Sequence, residues 1–123
     1  YGALHSGWKG TGIVETAIMQ ARRDYGSDPA DFCVVMAPHI HECCYDVDRN
    51  RAEYFINEFS ADCVTDKGNG IYGLSLANAN LAVLKKIGIK EENIVVAEDC
   101  TCCSTFKNGK NIFNDSFFNK IRF

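Results

Sequence analysis

The first group of side chains that could carry chemistry lies at the start of the sequence. His5 and Ser6 are followed by a glycine turn, by Lys9 and then by an amphipathic helical pattern. A strand, a glycine loop and a helix in this order direct backbone N–H groups toward a crevice where α/β proteins bind anions. Lys9 adds a mobile positive charge there. His5 could be a metal ligand, an acid–base group, or a histidine that is simply hydrogen-bonded at a strand end.

A second group lies between residues 38 and 46, where two imidazoles and two thiols occur within six positions. His39, His41, Cys43 and Cys44 belong to the residue types that zinc and copper accept as ligands. Adjacent cysteines rarely both reach one ion without strain. The pattern therefore favours a surface loop with buried small thiols over a single closed metal site.

Cysteine is abundant, with seven in 123 residues. That share lies below the roughly 8–10% typical of disulfide scaffolds, and the number is odd. No secretion leader is visible, so we expect reduced thiols and a cytoplasmic protein. The remaining cluster reads Cys-Thr-Cys-Cys, in which only Cys100 and Cys103 have the two-residue gap of zinc knuckles and redox motifs. This pattern alone does not favour a metal or redox role.

The composition is that of one folded domain. With 46% hydrophobic and 24% charged residues, the chain can build a core and is not disordered by composition. Thirteen basic and sixteen acidic residues give a net charge of −3 without a basic patch, so we expect no nucleic-acid partner and no membrane surface. No apolar run approaches the roughly 20 residues that a membrane span needs.

Hydrophobic periodicity predicts the elements that must position these groups. Apolar residues recur at helical spacing in three stretches, and short apolar runs alternate with them. Helices are expected over residues 11–25, 48–59 and 76–87, buried strands over residues 1–5, 32–36 and 94–97, and a short strand over residues 71–74. In the second helix we expect Tyr54, Phe55 and Phe59 to face the core. Alternating strands and helices indicate an α/β or a layered α+β fold.

Both ends of the sequence lie in apolar segments, and there is no initiator methionine. The first residues of a native domain are usually polar and poorly ordered. We therefore expect residues 1–123 to be a piece of a longer domain whose first strand begins upstream.

Three segments, in this order, resemble the YfiH-like family, also called the laccase-domain or multicopper polyphenol oxidoreductase family. Residues 5–11, His-Ser-Gly-Trp-Lys-Gly-Thr, are similar to the family's His-Ala-Gly-Trp-Arg-Gly-Thr. Residues 37–47 resemble its Gly-Pro-x-Ile and Cys-Cys-Tyr-Glu-Val pattern, and residues 74–101 resemble its Leu-Asp-Leu, Ala-Asn and Cys-Thr stretch. Phe117 and Phe118 would correspond to the family's Phe-Phe-Ser-Tyr-Arg-Arg ending.

The resemblance implies an α+β fold, layered α/β/β/α with mixed sheets, of which residues 1–123 would form the C-terminal part of a single domain. It implies a zinc-dependent purine nucleoside phosphorylase acting on adenosine, inosine and methylthioadenosine, with adenosine deaminase activity. The partners would be a purine nucleoside and phosphate, and we expect a monomer or a weak homodimer. The alternatives are a peptidoglycan-precursor editing hydrolase, a copper-dependent polyphenol oxidase, and a non-enzymatic module that binds metals through its thiols.

The family's zinc site uses two histidines and one cysteine, and only His5 matches one of these ligands. The resemblance therefore implies that His5 is a metal ligand and a catalytic residue, with the other two ligands outside this chain. Ser6 and Lys9 would bind the anionic end of the substrate, and Lys9 replaces the arginine that is usual there. Three more residues are expected to line the same cleft: Cys43, Cys44 and Tyr45.

Overall fold

The computed structural model describes residues 1–105 and 109–110. In this part of the chain, helices and short strands follow in the order α1 (Ile13–Tyr25), β1 (Val34–Met36), β2 (Asp46–Val47), α2 (Arg49–Glu58), β3 (Val64–Asp66), β4 (Tyr72–Leu74), α3 (Leu76–Lys86) and β5 (Ile94–Val96). Short 3-10 turns at Pro29–Asp31, Ala61–Cys63 and Glu91–Asn93 precede β1, β3 and β5. The correspondence expected for Phe117 and Phe118 lies outside the described residues.

The three predicted helices are confirmed, with ends that differ by no more than two residues. Asp48 caps α2 by accepting a hydrogen bond from the Arg51 backbone N–H at 2.9 Å, and Ser75 caps α3 by accepting one from Asn78 at 3.2 Å. These caps satisfy N–H groups that the first turn of a helix leaves unpaired. No helix in residues 1–105 is both long and apolar enough to cross a membrane.

The strands form two small sheets. β1 and β5 pair in parallel, with Val34 opposite Ile94, and β4 lies between β2 and β3 in an antiparallel sheet. Further along the same pair of chain segments, His39 and Cys100 form an isolated parallel bridge, and the Thr101 N–H donates to the His39 carbonyl at 2.9 Å. Parallel and antiparallel pairing together confirm the predicted α+β class with mixed sheets. The bridge brings the two cysteine-containing loops side by side.

Helix α3 contributes to two apolar clusters. In the first, Phe55 and Leu74 are fully buried and pack with Ala79. In the second, Leu84 of α3 packs with Ile18 of α1 beneath the β1–β5 sheet. Because α3 has side chains in both clusters, its position is fixed by most of the core, and groups attached to it are held rigidly.

Several expectations about individual positions were wrong. Residues 1–7 form no regular secondary structure, so the strand expected over residues 1–5 is absent. Val35 is 73% exposed and Val95 60% exposed, because the second cluster covers only one face of the β1–β5 sheet. Tyr54 is 52% exposed because neighbouring helical residues point about 100° apart, and Phe55 takes the inward position.

Two strands were not predicted. β2 and β3 are only two and three residues long and include Asp46, Thr65 and Asp66. Such short polar segments show no alternation of apolar and polar residues. The strands predicted around β1, β4 and β5 are confirmed, each one or two residues shorter than expected.

The burial pattern of α2 gives the first testable prediction. Phe55→Ala should lower the free energy of unfolding by about 3–5 kcal/mol, because it leaves a cavity in the first cluster. Tyr54→Ala, the neighbouring aromatic position on the same helix, should cost less than about 1 kcal/mol because its ring is half exposed. Urea denaturation of the two variants measures both values, and equal losses would contradict this assignment of the core.

Candidate functional site

The loop that contains His5 and Lys9 is attached to α3 by one buried amide. Asn80 is 8% exposed. Its Oδ1 accepts hydrogen bonds from the Ser6 hydroxyl at 2.9 Å and from the Gly12 N–H at 3.3 Å, while its Nδ2 donates to the Leu76 carbonyl at 2.8 Å. The loop therefore takes its position from the most buried helix of the fold. Sequence reasoning missed Asn80 as a positioning residue, although it lies in the Ala-Asn segment of the resemblance.

Ser6, which is expected to bind the substrate, already forms hydrogen bonds that hold this loop in place. The Ser6 hydroxyl lies 3.2 Å from the Gly10 carbonyl as well as 2.9 Å from Asn80, and the Gly10 N–H donates to the Gly7 carbonyl at 2.9 Å. His5 is exposed, and its ring lies over Gly7: a Cβ at that glycine would be 3.3 Å from His5 Nε2. The role expected of Ser6 in binding an anion stays a prediction.

Positive charge gathers around the indole of Trp8. The Arg51 guanidinium, which comes from α2, lies 3.9 Å from the centre of the indole ring, and Lys9 Nζ lies 5.3 Å from it. Both distances fall within the range of cation–π attraction. Arg51 is a second residue that sequence reasoning missed, because nothing in the spacing relates α2 to the first loop.

The cysteines of two distant segments meet in one cluster. The sulfur atoms of Cys43, Cys44, Cys100 and Cys103 all lie within 4.8 Å of one another. Cys43 Sγ is 3.7 Å from Cys44 Sγ and 3.6 Å from Cys103 Sγ. This four-cysteine cluster could hold a metal ion. Among the described residues it is the one group of three or more histidine, cysteine or acidic side chains with suitably close ligand atoms.

A tight turn explains how two adjacent cysteines enter one cluster. The backbone N–H groups of Cys44 and Tyr45 both donate to the His41 carbonyl at 3.0 Å. This turn folds the chain so that both thiols face the segment after β5. The two adjacent cysteines thus lie in one group of four, whereas the burial expected for the thiols of this loop was wrong, since Cys43 is exposed and Cys44 is partly exposed. Gly73 lets the backbone at Glu42 pass close to β4, because a Cβ at position 73 would overlap the Glu42 carbonyl oxygen.

The thiols of the four-cysteine cluster differ in acidity. Burial opposes ionisation of Cys100, but N–H groups of His41, Cys102 and Cys103 donate to its sulfur and lower its pKa to about 6. Hydrogen bonding to Cys103, together with burial, raises the pKa of Cys44 above the usual thiol range. Hydrogen-bond donors around the Cys100 sulfur thus favour its thiolate form, whereas the surroundings of Cys44 favour its thiol form.

Lys67 is the cation beside the four-cysteine cluster. Its Nζ donates to the Cys43 carbonyl at 2.9 Å and pairs with Asp46 at 2.5 Å. The hydrogen bond to Asp46 raises the pKa of Lys67, and the charges of the nearby thiols act in the same direction. The ammonium group is therefore held in its charged form against the rim of the cluster.

A cleft of about 250 Å³ lies next to the four-cysteine cluster. Its polar lining comes from the loops after β1 and β5 and from the start of α3: His39, His41, Glu42, Ser75, Asn78 and Glu98. The His39 and His41 rings are 4.5 Å apart, and His41 Nε2 is buried without a hydrogen-bond partner in residues 1–105 and 109–110. A bound polar group would satisfy this nitrogen.

Cleft and cluster share one residue. The His41 ring lines the cleft, while its backbone N–H donates to Cys100 Sγ at 3.4 Å. Tyr45 packs instead against the first apolar cluster. The cleft lining within the described residues includes neither His5 nor Lys9, so the expectation that all predicted site residues share one cleft stays a prediction.

The model of a family described as multi-copper polyphenol oxidoreductase laccase matches residues 1–107, which include the glycine loop, the cleft and all four cysteines of the cluster. The chain belongs to this laccase family. The family resemblance identified from three sequence segments is thereby confirmed.

Relatives of this laccase-family chain carry enzymatic names. It is 33% identical over 105 residues to the purine nucleoside phosphorylase YlmD of Bacillus subtilis, covering 81% of this chain and 37% of that protein. It is 28% identical over 106 residues to adenosine deaminase RL5 of an unknown prokaryotic organism, covering 80% of this chain and 39% of that protein. The crystal structure of the hypothetical protein YfiH from Bacillus licheniformis matches with a TM-score of 0.72 and 34% identity, over 79% of this chain and 38% of that one.

The chain spans between 25% and 39% of the length of the curated relatives that it matches. The part of the chain that the structure describes does not complete a zinc site around His5, since the cluster of potential ligands consists of cysteines alone. A zinc site at His5 would therefore need ligands from outside the described residues.

The amide of Asn80 gives the second testable prediction. Asn80→Ala removes the acceptor shared by Ser6 and Gly12, and a buried hydrogen-bonding group left unpaired costs about 1–3 kcal/mol. Amide hydrogen exchange of residues 5–12 should become faster by roughly tenfold or more. Asn78→Ala is the matched control on the same helix, because its side chain donates instead to the Asp62 carbonyl. Unchanged exchange at Gly12 in the Asn80 variant would contradict this role.

Proposed function

We propose that this chain is part of a purine nucleoside phosphorylase that acts on adenosine, inosine and methylthioadenosine and also deaminates adenosine. The relative YlmD is named as a phosphorylase and RL5 as a deaminase. The observation in this chain that best supports the proposal is the pair of cations, Lys9 and Arg51, held at Trp8 beside a loop that Asn80 fixes. A phosphorolytic enzyme must hold phosphate in a defined place, and these groups offer one.

The proposed reaction transfers a glycosyl group from the purine to phosphate. A phosphate oxygen forms a bond to C1′ of the sugar while the bond from C1′ to the purine nitrogen breaks, and the released purine takes up a proton. The products are a sugar 1-phosphate and the free base. Lys9 and Arg51 would bind the phosphate, orient its oxygen for attack and offset its negative charge in the transition state.

Arg51 supplies what the lysine at position 9 lacks. A guanidinium group can bind phosphate through two parallel N–H donors, whereas an ammonium group acts as a compact charge. Lys9 stands where the family resemblance has arginine, so Arg51 would restore the planar donor pair from a neighbouring helix. Ser6 is proposed to contribute only after its hydroxyl turns away from Asn80 or the Gly10 carbonyl.

His5 is proposed as one ligand of a zinc ion whose other ligands lie outside these residues. Its exposed ring at the start of the glycine loop leaves it accessible to such partners. Zinc with three protein ligands would supply an activated water for removal of the adenine amino group as ammonia. Cys43, Cys44 and Tyr45 are proposed to lie close to a substrate bound in the cleft. His41 belongs both to this cleft and to the surroundings of the four-cysteine cluster.

The proposal includes a cellular compartment, the reaction partners and an oligomeric state. The seven cysteines, all within the described residues, form no disulfide, and a cytoplasmic enzyme would keep their thiols reduced. The partners would be a purine nucleoside and phosphate, handled by a monomer or a weak homodimer. Laccase-type oxidation of polyphenols by copper is the alternative that the family description keeps open.

The phosphate site gives the third testable prediction. In the complete natural chain, Lys9→Ala and Arg51→Ala should each raise the KM for phosphate in inosine phosphorolysis by roughly tenfold to a hundredfold, as expected for loss of a charge-assisted contact. Adenosine deamination, which uses no phosphate, should change much less. Lys90→Ala and Arg49→Ala are matched controls at exposed positions.

Release of hypoxanthine measures the first activity and release of ammonia the second. A KM for phosphate that stays at the wild-type value in both variants would remove these residues from the site. A chain that oxidises polyphenols with copper but releases no hypoxanthine from inosine would overturn the proposed function.

Position 5 gives the fourth testable prediction. His5→Ala should lower turnover of both reactions by orders of magnitude, because two remaining ligands hold zinc poorly. The folded structure should persist, since His5 is exposed and lies in neither apolar cluster. Steady-state assays together with circular dichroism test this expectation, and full turnover in the variant would make His5 a structural residue.

A further inference from the structure

We propose that Cys43, Cys44, Cys100 and Cys103 bind one Zn²⁺ ion as a structural tetrathiolate site, separate from the zinc proposed at His5. The inference depends on the positions of the four sulfur atoms and on the groups around them, and it stands whether or not the proposed enzymatic activity is correct.

The sulfur positions match a tetrahedral site closely. A Zn–S bond of about 2.3 Å places the four sulfurs of a regular tetrahedron about 3.8 Å from one another. Cys43 Sγ already lies 3.7 Å from Cys44 Sγ and 3.6 Å from Cys103 Sγ, and every sulfur pair in the cluster is within 4.8 Å. Side-chain shifts of about an ångström would complete the coordination.

The surroundings suit a tetrathiolate and its negative charge. Four thiolates around Zn²⁺ carry a net charge of −2, which N–H donors and a nearby cation would stabilise. The His41 N–H donates to Cys100 Sγ at 3.4 Å, and Lys67 is anchored at the rim by its 2.9 Å hydrogen bond to the Cys43 carbonyl. Four soft sulfur ligands in a tetrahedral arrangement favour zinc over the harder divalent cations.

The site would be closed and therefore structural. Four protein ligands leave zinc no open position for water or substrate. The ion would instead tie the turn that holds Cys43 and Cys44 to the segment that holds Cys100 and Cys103. In the described residues these segments are otherwise joined through the His39–Cys100 bridge and the His41 contact to Cys100. Zinc would thus fix the backbone that presents the His39 and His41 rings to the cleft.

The test uses the complete natural chain, purified under reducing conditions and without added metal. Native mass spectrometry counts bound zinc, and exchange of Co²⁺ for zinc reports the ligands through sulfur-to-cobalt charge-transfer absorption. Cys44→Ser and Cys103→Ser should each lose one zinc per chain and weaken this absorption. Cys33→Ser is the matched control, because Cys33 is an exposed cysteine outside the cluster.

His5→Ala separates this site from the proposed catalytic one. If both sites exist, His5→Ala loses a different zinc and keeps the absorption of a tetrathiolate cobalt site. A chelator that removes the cluster zinc should lower the thermal midpoint of the wild type. It should lower the midpoint of Cys33→Ser by the same amount, because this variant keeps all four cluster cysteines. If the cluster variants do not fold, the wild-type cobalt spectrum decides, since it must show four thiolate ligands.

Three results would overturn the proposal. The first is zinc content that is unchanged in both cluster variants. The second is a reduced wild-type chain that holds iron or copper at these cysteines instead of zinc. The third is a wild-type chain, purified under the same reducing conditions, that contains no metal at these four cysteines.

Discussion

The side-chain amide of Asn80 is the contact on which the arrangement of the first loop depends. It is nearly buried, and it uses both of its polar atoms, one toward the loop and one toward its own helix. A buried amide that loses its hydrogen-bond partners costs free energy. Moving the loop away from α3 would break the hydrogen bonds to Asn80, so this cost holds the loop in place. Since α3 reaches both apolar clusters, the packing of the described helices and strands sets the place of His5 and Lys9.

A second constraint acts on the cleft, in the wall formed by the loops after β1 and β5. There the chain carries little regular structure, and its shape comes from a turn at the His41 carbonyl and from the bridge between His39 and Cys100. Four thiols converge beside these segments, and the Cys100 sulfur accepts a hydrogen bond from the His41 N–H. The cleft therefore has one wall at the start of α3, fixed by apolar packing, and another wall shaped by these local turns.

The sequence predicted well those features that arise from local pattern. The three helices follow from apolar spacing and from capping side chains such as Asp48, and the family follows from three ordered segments. Features that depend on distant contacts were not predictable in this way. The approach of Arg51 to Trp8 and the meeting of Cys43 with Cys103 both join residues far apart in the chain. The exposure of Val35 likewise depends on how far the helices extend over the sheet, which a strand pattern of three residues does not encode.

Trp8 is the one tryptophan of the chain, and its indole lies between a loop fixed by α3 and the guanidinium of α2. Indole emission responds to the charges and solvent around the ring. The intrinsic fluorescence of this protein therefore reports on a single place, the junction of the glycine loop with α2. Any anion that draws Arg51 or Lys9 away from the ring would change the emission, so the fold contains its own optical probe for occupancy of that junction.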